Sequence, residues 1–267
     1  MRILFIGDIV GKPGVQAVRG LVPRLRAEHG LDAVIANAEN ATNGSGCLPS
    51  AYRSLREAGV DLVTLGDHAF RKSDIIDVMA EDERVCRPAN FPAAAPGGAV
   101  ARCTLPCGRR LAAFCLLGRT FMRPAECPFT TADRLLVELG DSVVVVDAHA
   151  EATAEKYLLA HHLKGRVAAV LGTHTHVPTA DEQVISGTAF ISDVGMTGPY
   201  HSILGRAVER VLMTTVTFVP TPFDVATGDV RLGGAVVEVD AATGRATSIR
   251  RLMVDEKGLA DLARQDD

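Results

Sequence analysis

Short apolar runs constrain the fold of this chain more than any other feature. Ile3–Ile6, Ala33–Ala36, Val143–Val146 and Val167–Leu171 contain no polar residue, and Val60–Leu65 admits only Asp61 and Thr64. A strand with one wet face alternates apolar and polar side chains, whereas a strand covered on both faces reads as a continuous apolar run. These runs therefore predict sheets enclosed between other layers. The segments between them carry helical spacing. Val18, Leu21, Val22 and Leu25 line one face of Val15–His29, where Pro23 should kink or interrupt the helix. Ser50–Ala58 reads as a helix stopped by Gly59, Ser73–Ala80 as one with Ser73 as its N-cap, and Thr131–Leu139 and Thr153–His162 as two more.

Residues 86–130 differ, with six prolines and a hairpin expected from Ala99–Thr104 to Arg110–Leu117. Thr188–Ser192 reads as a further strand. The last third reads mostly as β, at Val211–Phe218, Gly234–Val239 and Thr247–Leu252, with a short helix expected from Lys257. Strands throughout, helices early and a β-rich end predict an α/β sandwich with two sheets. At 267 residues and 47 % hydrophobic, the chain has material for one large domain spanning 1–267.

The bulk numbers exclude some functions. The formal net charge of −4 argues against binding duplex nucleic acid through its backbone. No apolar run approaches the ~20 residues needed to span a bilayer, and the first strand is too short for a secretory leader. Six cysteines without a C-x-x-C pair fit reduced thiols in a cytoplasmic protein. Cys103 and Cys107 belong to the expected hairpin and not to a zinc site.

The residues just after each apolar run point to chemistry. Asp8 succeeds the first, Glu39-Asn40 the second, Asp67-His68 the third, Asp147-Ala148-His149 the fourth and Gly172-Thr173-His174-Thr175-His176 the fifth. Ligands of open α/β sheets collect at the carboxyl ends of strands. Each motif alone reads equally well as a turn or a cap. Together they place carboxylate, amide and imidazole donors at five strand ends, which suits a two-metal hydrolase. If the last segment is extended, His174 and His176 share a face; if Gly66-Asp67-His68 is extended, His68 points away from Asp67. Asp147 or Glu151 could orient an imidazole, as could Thr173, Thr175, Thr179 and Asp181. Donors without thiolate suit iron, manganese or zinc. His29 and His161-His162 read as helix C-terminal residues. The segment Gly11-Lys12-Pro13-Gly14 lacks P-loop spacing.

The motifs GDIVGKPG at 7–14, NAEN at 37–40, RPANFP at 87–92, DAHAEAT at 147–153, GTHTHVPTAD at 172–181 and DVGMTGPY at 193–200 resemble the calcineurin-like metallophosphoesterases, most closely the YmdB-like branch of bacterial cyclic-nucleotide phosphodiesterases. The resemblance covers essentially the whole chain. It implies a four-layer α/β/β/α sandwich and a dinuclear centre. Asp8, Glu39, Asn40 and His176 would hold one metal, and a bridging Glu39 with Asp67, His149 and His174 the other. A hydroxide shared by the metals would be the nucleophile and His68 the proton donor. Iron is the first expectation, then manganese or zinc. The substrate would be a small phosphodiester or nucleotide, 2′,3′-cyclic AMP first. A phosphomonoesterase or nucleotidase with the same centre, and a metal-bound regulatory nucleotide binder, are the alternatives. A homo-oligomer is compatible with the β-rich third.

Two positions depart from the family. Gly66-Asp67-His68 stands where relatives usually read Gly-Asn-His, which adds one negative charge. That strengthens cation binding and weakens attraction for a phosphate anion. His201 stands where an acidic residue is expected, and nothing in the sequence explains it.

Overall fold

The structure is a computed structural model that describes residues 1–255. The chain runs β1 (Arg2–Ile6), α1 (Gly11–His29), β2 (Ala33–Asn37), α2 (Pro49–Glu57), β3 (Leu62–Thr64), α3 (Ile75–Glu81), β4 (Val85–Cys86), β5 (Ala101–Thr104) and β6 (Arg110–Leu117). It continues through α4 (Pro128–Leu139), β7 (Val143–His149), α5 (Thr153–Leu163), β8 (Ala169–Thr173), β9 (Gln183–Ile185), β10 (Thr188–Ile191), β11 (Gly198–Pro199), α6 (Val208–Thr217), β12 (Val230–Val239) and β13 (Ala246–Asp255). The helix expected from Lys257 lies outside the described residues.

Two sheets form. One has the order β11-β12-β1-β2-β3-β4, with β13 also paired to β12; the second has the order β5-β6-β7-β8-β10-β9. β1, β2, β3 and β4 are mutually parallel, as are β6, β7, β8 and β10. The burial of alternate residues resolves the layers. Leu4, Ile6, Val34 and Ala36 pack under Val18, Leu21 and Leu25 of α1 and Leu55 of α2. Their strand neighbours Ile3, Phe5, Ala33 and Ile35 meet Leu111, Ala113, Val145 and Leu171 of the facing sheet. The opposite face of that sheet, Phe114, Val144, Val146 and Val170, packs on Leu135 of α4 and Leu159 of α5. Three apolar interfaces separate four layers, α/β/β/α, of the metallophosphoesterase type. Both faces of every central strand are buried, which is why those strands are continuous apolar runs.

Several local expectations are corrected. Helix α1 runs through Pro23 without ending. Pro23 and Arg19 lie on the exposed face, so the Arg19 carbonyl that loses its donor can turn to water. Ser73 is not the N-cap of α3, which begins at Ile75 after Asp74. Val211–Phe218 is not a strand: α6 occupies it and buries none of its side chains. Its β-branched residues suit a strand, but a strand needs a partner edge, and a helix satisfies its own backbone. The expected hairpin is present as β5 and β6, in register from Ala101–Ala113 to Thr104–Arg110. Among the described residues, no helix is long and apolar enough to cross a membrane.

Candidate metal centre

Parallel strands point their carboxyl ends the same way, so β1, β2, β3, β7 and β8 deliver the residues at their ends to one edge of the sandwich. Donor atoms of Glu39, Asp67, His149 and His174 all lie within 4.8 Å of one another. His149 Nε2 is 3.1 Å from Asp67 Oδ1 and 3.4 Å from Glu39 Oε1. His174 Nδ1 is 3.1 Å from His149 Nε2 and 3.5 Å from Asp67 Oδ1. Gly66 permits this crowding. A Cβ there would sit on Glu39 Oε2 and His149 Nε2.

A second group adjoins the first. His176 Nε2 is 3.7 Å from Asp8 Oδ1 and 3.4 Å from Asn40 Nδ2, and Asn40 Nδ2 donates to Glu39 Oε1 at 3.1 Å. Glu39 thus touches both groups. His68 stands at the rim. Its backbone N–H donates to Glu39 Oε2 at 2.9 Å, and its Nδ1 is 2.7 Å from Asn40 Oδ1, a pure acceptor. Nδ1 is therefore the donor, and Nε2 is 3.8 Å from Asp67 Oδ2, so His68 does not point away from Asp67 as an extended segment would have it. All eight residues expected at the site converge. His201 is exposed, and its backbone N–H donates to Gly228 O at 3.2 Å.

Hydrogen-bonding and charged partners fix the imidazoles, and those of His149 Nδ1 are buried. Thr173 Oγ1 donates its only proton to Asp147 Oδ1 at 2.5 Å. It must then accept from His149 Nδ1, 2.8 Å away, which turns Nε2 toward the carboxylates. Asp147 also accepts from Thr64 Oγ1 at 2.6 Å and Asn37 Nδ2 at 2.9 Å. His174 Nε2 is 3.3 Å from Glu151 Oε2, and His176 Nδ1 donates to Leu204 O at 3.1 Å. Each ring thus has one nitrogen held from outside and the other facing the cluster, the arrangement that metal-binding histidines require.

The convergence of His174 and His176 has a different cause from the one expected. β8 ends at Thr173, and both histidines have left-handed backbone, with φ of 87° and 64°. A buried clamp holds that turn. Thr175 donates its N–H and its hydroxyl to Asp193 Oδ2, and Lys156 Nζ reaches the same oxygen at 3.0 Å. The backbone of His174 donates to Asp8 Oδ2 at 3.1 Å. Thr179 and Asp181 serve this loop and Ser192, not the imidazoles. Sequence reasoning missed Lys156, which lies on a helix and reads as solvated, and Thr64, which no motif marks. Asp193 and Asn37 lie inside motifs but had no assigned task.

The electrostatics call for a cation. Asp8, Glu39 and Asp67 bring three carboxylates together. Burial pushes Glu39 up, but the charge and hydrogen bond of His149, helped by His68, together outweigh it and hold Glu39 below its usual value. Burial likewise opposes ionisation of Asp67, yet hydrogen bonds to His149 and His174 hold it well below the carboxylate range. Burial works against a charged His149, while Glu39 and Asp67 drive its pKa far up. Asp8 Oδ1 is buried with no hydrogen-bond partner, an expensive state for a carboxylate oxygen unless a cation meets it. Hard oxygen and imidazole donors around that orphan fit divalent metal ions. Cys115, Asp147 and His149 form a deeper group, but burial keeps the Cys115 thiol protonated and unsuited to ligation.

An α/β/β/α sandwich with this donor set at its strand ends defines a metallophosphoesterase. The sequence model for YmdB-like proteins matches residues 4–252, and the chain belongs to that family. It is 42 % identical to the 2′,3′-cyclic-nucleotide 2′-phosphodiesterase of Bacillus subtilis (strain 168), over 96 % of this chain and 98 % of that one. Two crystal structures share the fold. A hypothetical protein from Thermus thermophilus superimposes with a TM-score of 0.90 at 45 % identity, covering 96 % of this chain and all of that one. A Mycoplasma pneumoniae protein described as a novel phosphatase gives 0.89 at 29 % identity, covering 97 % and 96 %.

Proposed function

We propose that the chain is a metal-dependent phosphodiesterase of cyclic nucleotides, 2′,3′-cyclic AMP first. The observation that carries the reading is the pair of adjoining donor groups sharing Glu39, with the unpartnered Asp8 Oδ1 between strand ends. Its substrate class is supported by the Bacillus relative. Asp8, Glu39, Asn40 and His176 would hold one ion, and Glu39, Asp67, His149 and His174 a second. Iron is the leading candidate, ahead of manganese and zinc. Bound ions supply Lewis acidity, which activates water and neutralises charge on the phosphoryl group.

The chain's own residues do the rest. Asn40 commits His68 Nδ1, so Nε2 delivers the proton to the departing ribose oxygen. Water adds to phosphorus and gives up a proton to solvent, the P–O2′ bond breaks, and the 2′-oxygen takes the His68 proton, leaving a nucleoside 3′-monophosphate; His68 regains a proton from solvent. Asp67 favours a diester over a monoester. A third carboxylate repels a dianionic monoester more than a monoanionic diester.

Metal analysis coupled to hydrolysis tests the reading. Wild type should carry two ions per chain and lose turnover of 2′,3′-cyclic AMP on chelation. His68→Ala should keep its metal and lose turnover; loss of both would remove its assigned role. Faster release from p-nitrophenyl phosphate than from its bis ester would favour the phosphomonoesterase instead. The free cysteines, Cys47, Cys86 and Cys115 buried among them, support a cytoplasmic setting. The exposed Leu212, Met213, Val216 and Phe218 on and after α6 support a homo-oligomer, with a second copy covering that helix.

A further inference from the structure

The motif RPANFP has no part in the donor cluster, yet the structure gives it a definite task. Asn90 is fully buried. Its Nδ2 donates to Leu117 O at 2.9 Å and Glu126 O at 3.1 Å, and its Oδ1 accepts from Leu117 N at 2.9 Å. Ala89 N–H donates to Cys115 O at 2.8 Å. Asn90 thereby ties the segment before it to the end of β6 and anchors the loop after β6. Between those two walls lies a cavity of about 400 Å³, a volume suited to a small organic ligand. Asp67 stands among its lining residues, so the cavity adjoins the donor cluster.

The lining is chemically selective. Phe70 and Phe91 are half-buried, with ring centroids 5.6 Å apart and planes tilted by 44°, and Leu117 adds apolar surface. Arg71 and Arg123 complete the cavity. Both are exposed, and neither guanidinium has a hydrogen-bond or ion-pair partner among the described residues. A phosphate alone has no use for two aromatic rings. A nucleobase stacks on such rings, and free guanidiniums can stack on it or donate to its ring acceptors.

We infer that this cavity is the nucleoside subsite, with the base held against Phe91 and Phe70 while the phosphodiester lies at the donor cluster. The inference rests on the phosphodiesterase reading for the reacting end only. Asn90 is a positioning residue that sets Phe91.

Two substrates separate the parts: 2′,3′-cyclic AMP, and glycerol 1,2-cyclic phosphate, which has the ring diester and no base. Phe91→Ala should raise KM for cyclic AMP about tenfold or more, with a smaller change in kcat. Its preference for cyclic AMP over the glycerol diester should fall by a similar factor, and Phe91→Tyr should restore it. Calorimetry with adenosine on the full chain reads the same subsite without turnover, and Phe91→Ala should weaken that binding about tenfold. If wild type binds adenosine in a Phe91-dependent way but hydrolyses neither diester, the subsite stands and the phosphodiesterase reading falls. If wild type hydrolyses both and Phe91→Ala keeps the wild-type preference and adenosine affinity, the subsite falls alone. Wild type with neither binding nor hydrolysis overturns both.

Discussion

Lys156→Met tests whether the clamp beneath the histidine turn is needed. Lys156 and Asp193 are 0 % and 1 % exposed, with Nζ 3.0 Å from Oδ2. Methionine keeps most of the aliphatic stem and removes the charge. Breaking a buried pair from one side costs about 3–5 kcal/mol, because the remaining charge stays desolvated. Asp193 keeps three donors, the N–H and hydroxyl of Thr175 and the N–H of Gly195, so the cost should lie near the lower end, about 3 kcal/mol. With a urea dependence of about 3 kcal/mol per molar, the unfolding midpoint should fall by about 1 M. The same loss frees the left-handed turn at His174 and His176, so metal affinity should drop with stability. Asp193→Asn should behave similarly. The double variant should cost less than the sum of the singles by at least about 1 kcal/mol, since neither charge is then stranded. Arg2→Ala is the control: its pair with Glu238 is about half exposed and should be worth less than about 1 kcal/mol. A Lys156→Met midpoint within error of wild type, or additive single variants, would refute the clamp.

Three further substitutions probe the same geometry. Thr173→Val removes the hydroxyl linking Asp147 to His149 at nearly constant volume; metal affinity should fall about 10- to 100-fold, read by competition with a chelating dye. Gly66→Ala places a methyl on Glu39 and His149, and should abolish metal retention with a near-native circular dichroism spectrum; full metal content would show that the cluster can open. Asp67→Asn removes one of three carboxylates, so it should lose metal more readily on dialysis yet show a lower KM for an anionic diester when metal is supplied in excess. An unchanged KM would remove Asp67 as an electrostatic brake on substrate binding.

The donors were legible because their cause is local. A strand buried on both faces leaves a continuous apolar run, and the first polar residue after it stands at the strand's carboxyl end. Asp8 and Asp67 obey that rule directly, whereas Glu39, His149 and the two histidines after β8 come just after the first polar residues Asn37, Asp147 and Thr173. The strand layers were legible for the same reason. The helical state of α6 was not, since Val208, Val211 and Val216 carry a β preference and the helix buries nothing to contradict it.

The clamp was illegible for a deeper reason. The two-apart spacing of His174 and His176 predicted convergence from an extended backbone, and they converge on a left-handed one. That backbone is costly for a residue with a Cβ, and its stabiliser lies elsewhere in the chain. Lys156 looks like any solvated lysine on a helix until the fold sets it against Asp193, 37 residues later. Gly172 makes the approach close: a Cβ there would collide with Ser192 O, so β8 and the Asp193 segment meet at backbone distance. A histidine pair two residues apart is a ligand motif only where another part of the chain holds the turn between them. Here that part is a buried lysine–aspartate pair, and its contribution can be measured independently of any metal.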